Sequence, residues 1–568
     1  MRTLETDVFV VGAGPTGLAC AALLARDGAQ VTAISRYPGL ANSPRAHIIN
    51  QRTMEIFRDL GIGARVSAAA MPAGLMGRVV WAEGFAGAEI ARRPGWGAGA
   101  GRQGDYAAAS PCAPTNIPQH VLEPILCDAA RELGAEVVFG LELVSMREEA
   151  DRVVSNCRDR ASGEEVEVIS RYAVGADGDS STVCREQGFE VEGVSGLGHM
   201  VNYWIEADLS RYAAHRPAAL FQIFRPGGEG FVDNAMFVNV APWNEWVVAL
   251  PYDPAAGDPD RSEEAATRIA RAYVGDPELP VRLIGTSTWT INQIHAEVMH
   301  RERVVIAGNA AHRHPPAGGL GANTCVQDAF NLAWKLGALL RGEAGPALLP
   351  SYSAERAPVA RDIVHRANRS LAALMAIPGA LGLRPGQTAE EGRRALALRF
   401  EDSPEGAACR AALAEALELQ DYNFNALGVE LGQRYASDCL TGDGTAFEPR
   451  LDDALFYEPS TVPGSPLPHA WVARGAETLS TLDLVGRGRF ALLVGVGGRA
   501  WREAARGLEA AVGAGLDVIG VGPGLEAEDP EFAWARLRGV GDAGCVLVRP
   551  DRHVAFRARG DEGATEAL

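Results

Sequence analysis

Glycines at 12, 14 and 17 follow the apolar run Asp7 to Val11 and precede a Leu/Ala-rich stretch that ends at Gly28. A second apolar run spans Gln30 to Ile34. Strand, glycine turn, helix and strand in that order read as a βαβ unit, within which G-x-G-x-x-G has a physical task. The first two glycines permit a tight turn and close approach of main chain to a pyrophosphate. Pro15 and Thr16 open a helix whose N-terminus supplies free N–H groups and partial positive charge. The expected chemistry is dinucleotide binding. An acidic residue about 20 positions on usually holds the adenosine ribose. Here the second strand ends Ile34-Ser35-Arg36, and Ser35 and Arg36 taken by themselves read as a site for a phosphorylated ribose.

The elements that must position this loop follow from hydrophobic patterning. Strand-like alternation at Glu136 to Phe139, Arg152 to Cys157, Val166 to Ile169 and Tyr172 to Val174 extends a sheet that closes on Gly175-Ala-Asp177-Gly178. From about 185 to 300, aromatic and β-branched segments separated by Pro/Gly turns predict a mostly antiparallel sheet, with an amphipathic helix near Ser262 to Tyr273. Alternate aromatic positions there (Tyr203, Trp204, Phe221, Phe237, Trp243, Trp246, Trp289) divide between core, which takes most of them, and pocket wall. Arg303 to Ala307 reads as a strand that returns the chain to the first domain before the helix Asn323 to Leu340. The chain is helical after Pro350. A Pro/Gly cluster near 459–468 then precedes a small thioredoxin-like α/β unit with strands Phe490 to Val494, Asp517 to Val521 and Cys545 to Val548. Gly520-Val-Gly522-Pro-Gly524 mimics a second dinucleotide loop, but Pro530 and acidic residues follow it, and it reads as a turn. An acidic tail is expected from Gly560. The fold class is α/β. The expected division is 1–184 and 301–445 for the nucleotide domain and its return, 185–300 for the antiparallel domain and 446–568 for the C-terminal unit.

Charge and composition exclude several functions. Across 568 residues, 53 Lys+Arg against 72 Asp+Glu give a net charge of -19, which repels nucleic acid and anionic lipid. Lys335 is the only lysine, so P-loop and Schiff-base chemistry drop out. The cysteines number 9; they show no C-x-x-C and read as reduced thiols of a cytoplasmic protein. No apolar run reaches the length of a membrane span. His312 and His314 flank a turn without a carboxylate at ligand spacing, so no metal site is expected.

Six segments in order carry a resemblance: Gly12-x-Gly14-x-x-Gly17; Pro44-Arg45-Ala-His47-x-x-Asn50-Gln51-Arg52; Pro118-Gln119-x-x-Leu-Glu123-Pro; Gly175-Ala-Asp177-Gly178; Gly308-Asn309 through Asn323; and Ser351-Tyr352-x-x-Glu355-Arg356. On these the chain resembles the single-component FAD-dependent aromatic hydroxylases, nearest the phenol and 2,4-dichlorophenol monooxygenase branch. The resemblance implies a Rossmann-like FAD-binding domain of the para-hydroxybenzoate hydroxylase type, an antiparallel substrate domain and a thioredoxin-like C-terminal domain. It implies FAD as cofactor and NAD(P)H, NADPH favoured, as co-substrate. The implied reaction is hydroxylation of a phenol, hydroxypyridine or polyketide-derived ring by O2 through a flavin C4a-hydroperoxide, in a possible homodimer.

The same resemblance assigns residues. Arg45 matches the arginine that reaches the FAD pyrophosphate, and Gln119 the ribityl partner. Asp177 and Gly178 match a loop associated with FAD and the nicotinamide nucleotide. Asn309 stands where the family has Asp, which keeps an acceptor and loses a charge. Pro316 shapes the wall at the reactive edge, while Gly319, Gly321, Ala322 and Asn323 bring a helix N-terminus to the flavin ring. His47 stands where phenol hydroxylases carry a substrate-side acid/base residue; a histidine simply packed beside the flavin fits the position as well. A base serving a phenol is expected to titrate near working pH. A Baeyer–Villiger or epoxidising enzyme on the same scaffold, and a redox-inert flavin-binding module, are the competing readings. A halogenase is disfavoured by the absence of W-x-W-x-I-P.

Overall fold

Val8, Phe9 and Val10 are completely buried, as a continuous apolar run must be when both faces of a parallel sheet are covered. The strand Arg2–Val11 lies between Val31–Ser35 and Glu165–Gly175, parallel to both, with Glu136–Phe139 on the outer edge. The two short strands expected over 166–174 are one continuous strand, Glu165–Gly175, which changes partner along its length. Its first half pairs antiparallel with Val153–Asp159, and Ala173–Gly175 pairs parallel with Val304–Ile306. The returning chain therefore docks at the C-terminal end of the sheet. The helix Pro15–Arg26 covers one face, with the long helix Gly321–Arg341 against it. The computed structural model describes residues 2–228, 232, 234–512, 515–561 and 564, with side chains at 509–512 excepted. Apart from 560, 561 and 564, the expected acidic tail lies outside them.

The second sheet has eight strands in the order His312–Arg313, Arg282–His295, Glu192–Glu206, Glu245–Tyr252, Asn234–Ala241, Leu220–Phe224, Arg78–Ala82, Glu89–Pro94. It is antiparallel except where Arg78–Ala82 meets Leu220–Phe224. Chain outside 185–300 thus contributes strands at both ends of the sheet. The physical reason at one end is Val79-Val80-Trp81, an apolar β-prone run that is fully buried only as part of this sheet. On one face Tyr203, Phe221, Phe237 and Trp246 pack with the helix Glu263–Val274. On the other, Trp81, Gln222, Met236, Ala249, Asn202 and Ser287 stand in register across the sheet. Trp81 and Met236 pack there in a cluster that includes Ile48.

The C-terminal sheet runs Leu516–Gly520, Phe490–Val494, Cys545–Val548, Val554–Ala558, the first pair parallel and the others antiparallel. That is the thioredoxin-like order, and Gly522 to Gly524 form a turn as expected. Among the described residues no helix is long and apolar enough to cross a membrane.

Candidate functional site

Gly12 has φ +115°, and a methyl group there would overlap the Ala176 carbonyl. The glycine turn and the Asp177-Gly178 loop are therefore packed main chain to main chain. Gly14 is the N-cap of the helix Pro15–Arg26; no side chain caps it, and a Cβ added to it would meet nothing within 4 Å. An uncapped helix N-terminus opening on free space fits a pyrophosphate. Ser35 is buried and its Oγ accepts from the Tyr37 N–H, while Arg36 donates to Ser180 Oγ at 3.1 Å. Asp177 is less free than its motif implies: Ser181 Oγ and the N–H groups of Thr182 and Val183 donate to it, at the start of the helix Thr182–Gln187 that Ser181 caps.

Main-chain pairing brings the second and third motifs together. Ile48 and Ile49 pair with Asn116 and Thr115, Ile117 donates to the His47 carbonyl, and Gln119 to that of Ala46. Arg45 is exposed, with no side-chain hydrogen bond or ion pair among the described residues. Gln119 Nε2 donates to Glu123 Oε1 at 2.6 Å. Tyr106 and Cys112 offer their carbonyls to Gln51 Nε2, and Ser110 Oγ donates to Glu55, which fixes the helix Gln51–Asp59 behind this strand.

His47 Nδ1 lies 3.1 Å from Asn116 Oδ1. The Asn116 amide nitrogen is turned to Met71 Sδ, so its oxygen faces the ring. The pairing puts the proton on Nδ1 and leaves Nε2 an acceptor. Burial pulls the His47 pKa down to about 4, against the raising effect of Asn116. The expectation of a base titrating near neutral pH is corrected: the imidazole is neutral across the working range, because its surroundings desolvate the charged form.

The returning segment completes the arrangement. Gly308 sits at φ +62° against Thr16 and donates its N–H to Asp328 Oδ2 at 3.0 Å. His312 Nε2 lies 2.7 Å from the same oxygen, and Arg356 Nε 2.7 Å from Oδ1. Burial opposes ionisation of Asp328, but Arg356 and His312 hold it below the ordinary carboxylate range. Asn309 is exposed, its Oδ1 3.5 Å from Cys325 Sγ. Pro316 is exposed and opens the single turn Ala317–Gly319. Gly318 and Gly319 take φ +83° and +67°, and a methyl on Gly319 would lie 3.2 Å from the Ile48 Cβ. The turn thus rests on the strand Ile48–Ile49 that follows His47. Gly321 and Ala322 begin the helix Gly321–Arg341, which has no side-chain cap. The Asn323 side chain is consumed internally: it donates to the carbonyls of Gly319 and Ile48 and accepts from the Asn50 N–H. It locks the turn to the strand, leaving only its main chain toward the helix start.

Sequence reasoning missed Asn116, Asp328 and the role of Arg356. Arg356 lay within a quoted motif; Asn116 and Asp328 carried no local signal. It also missed a group of three possible metal ligands, Glu192, His295 and Glu297, whose donor atoms lie within 4.8 Å of one another. Arg361 sits 3.8 Å from Glu297.

Comparison with known proteins agrees with this geometry. Residues 5–367 match the FAD binding domain family, and residues 460–568 the aromatic-ring hydroxylase C-terminal family. The chain is 43% identical to 2,4-dichlorophenol 6-monooxygenase of Delftia acidovorans, over 100% of this chain and 97% of that one. It is 41% identical to phenol 2-monooxygenase of a Pseudomonas species, over 98% and 90%. The flavin-dependent monooxygenase PieE, solved with FAD and substrate, superposes with a TM-score of 0.96 at 44% identity, covering 100% of this chain and 98% of that one. With an uncapped glycine cradle, a glycine turn on the strand that follows His47 and these relatives along its whole length, the chain belongs to the FAD-dependent aromatic-ring hydroxylases.

Proposed function

We propose that this flavoprotein monooxygenase hydroxylates a phenol-like ring whose hydroxyl is received by His47. The reading is carried by the His47 ring, neutral, fixed by Asn116 through Nδ1 and left with an acceptor Nε2, one residue before Ile48, on which Gly319 of the glycine turn packs. The names of the relatives, which act on phenol and on 2,4-dichlorophenol, support it.

Gly12, Gly14, Pro15, Thr16, Gly17 and Arg45 would hold the FAD pyrophosphate, and Gln119 and Asn309 the ribityl chain. Gly321, Ala322 and Asn323 would offer main-chain N–H groups to the ring, where a helix N-terminus favours negative charge; Gly319, whose own N–H donates to the Pro316 carbonyl, would let the main chain approach it. Ser35 and Arg36 would face the adenosine ribose; Asp177 and Gly178 would shape the loop beside it. Bound FAD, reduced by NAD(P)H, supplies the activation of O2 from which one oxygen enters the aromatic ring. The protein's part is positional and acid–base. His47 Nε2 accepts a hydrogen bond from the substrate hydroxyl, which raises electron density on the ring carbons. Asn116 keeps the acceptor tautomer, and the Pro316 turn walls the reactive edge from water. NADPH as reductant, a homodimer, a cytoplasmic location and the four-part division of the chain, with the strands of 78–94 and 312–313 added to the antiparallel domain, complete the reading.

The test is NADPH and NADH oxidation by FAD-loaded protein against phenols, hydroxypyridines and polycyclic phenols, with products weighed by mass spectrometry. A compound that accelerates oxidation and gains one oxygen supports the reading. Oxygen insertion into a ketone beside its carbonyl, unchanged in His47→Gln, would favour the Baeyer–Villiger alternative, and no acceleration by any compound a redox-inert module.

A further inference from the structure

We propose that the C-terminal domain positions the flavin-side turn, through a buried chain of side chains in which Tyr435 links Arg549 and His553 to Arg356, Asp328 and Gly308. The proposal rests on the reading above that Asn309 and Pro316 face FAD.

Four charged residues at the seam between the domains, Lys335, Glu355, Arg549 and Asp551, are at most 1% exposed. Arg549 donates to both oxygens of Glu355, at 2.5 and 2.8 Å, and to Asp551. Lys335 Nζ lies 2.7 Å from Glu355 Oε2, and Asn331 Nδ2 bridges the two carboxylates at 2.7 and 3.1 Å. A cluster like this is weak evidence for stability, since desolvation offsets most of the Coulombic gain. It does fix geometry, because few arrangements satisfy every group.

Tyr435 carries that geometry toward the site. Its ring stacks on His553 with centroids 4.0 Å apart and lies 5.5 Å from the Arg549 guanidinium carbon. Its hydroxyl accepts from Arg356 Nη1 at 3.1 Å, and Gln433 Oε1 accepts from the same nitrogen at 2.9 Å. Arg356 in turn holds Asp328, whose second oxygen receives the Gly308 N–H and faces His312. Both ends of the turn that carries Asn309 are thus tied to one carboxylate, oriented by one guanidinium, which a residue packed on the C-terminal domain orients. Tyr435 is a positioning residue.

The test variant is Tyr435→Phe, which removes the hydroxyl and keeps the stacked ring. FAD release from the holoenzyme on dilution, followed by flavin fluorescence, gives Kd; peroxide formed per NADPH gives coupling. The expected result is an about tenfold weaker FAD complex, in the range for loss of a hydrogen bond to a charged group, with more peroxide; the Tm of the FAD-free protein falls as well, because Arg356 is buried. Ser437→Ala removes a 2.6 Å hydrogen bond to Glu355 on the far side of the cluster and is expected to lower Tm while leaving Kd unchanged. Gln433→Met removes the second acceptor of Arg356 Nη1 and keeps the test open should Tyr435→Phe not fold; it is expected to weaken FAD in the same way. Parent-like FAD binding by Tyr435→Phe, or equal weakening by Ser437→Ala, would overturn the proposal. If Asn309→Leu leaves FAD binding untouched, the flavin-site reading fails and this proposal with it; if Asn309→Leu weakens FAD and Tyr435→Phe does not, the reading stands and the coupling alone fails.

Discussion

Gly308 packs so tightly against Thr16 that a single methyl group on the glycine would overlap the threonine hydroxyl. The contact joins the first glycine turn of the nucleotide domain to the segment that returns to it almost 300 residues later. One residue therefore reports on how the two halves of the cofactor site are held together.

Replacing Gly308 with Ala forces a side chain into left-handed backbone at φ +62° and into Thr16. Backbone strain and overpacking together are expected to cost roughly 2–5 kcal/mol. Urea unfolding of the variant should show the loss, and purified protein should carry less FAD than the parent.

Arg45 is exposed and its side chain makes no hydrogen bond or ion pair among the described residues, its charge acting only weakly on the buried Glu123. Arg45→Leu is expected to leave Tm within about 1 °C while weakening FAD about ten- to a hundredfold, the range for hydrogen bonds between charged groups. A drop in Tm of the FAD-free variant would show that the arginine serves the fold instead.

His47→Gln keeps a polar side chain and removes the imidazole lone pair. Turnover of a phenol is expected to fall by about 10²–10⁴ with NADPH oxidation retained. Because burial holds the His47 pKa at about 4, the parent kcat/KM should be flat through pH 6.5, the ordinary imidazole value. An inflection near 6.5 that vanishes in the variant would contradict the desolvated neutral ring.

Glu430 is 4% exposed, and burial, only partly offset by Arg102, pushes its pKa up to about 8. Its folded-state value lies above its unfolded one, so the unfolded chain releases this proton first. Its contribution to stability is fully present below about pH 4.5 and declines as pH rises toward 8. Glu430→Gln should remove that decline, making the variant more stable than the parent at pH 8 by a few kcal/mol and little different at pH 4.5. Urea midpoints at the two pH values decide it.

What the sequence determined by itself was local. The βαβ unit, the glycine turn, the helix Gly321–Arg341 and three of the four strands of the C-terminal sheet follow from apolar periodicity and from glycines whose backbone angles few other residues adopt. Arg45, His47 and Gln119 could be proposed for the site because they sit inside short motifs. Tertiary structure decided the rest. Arg78–Ala82 and Glu89–Pro94 joined the second sheet because strand pairing is set by partners far along the chain, which periodicity cannot name. Asn116, Asp328 and Tyr435 gained their roles only from what folding placed beside them. The titration of His47 was decided in the same way, since a pKa depends on the solvent and charge that surround a group and not on its neighbours in sequence.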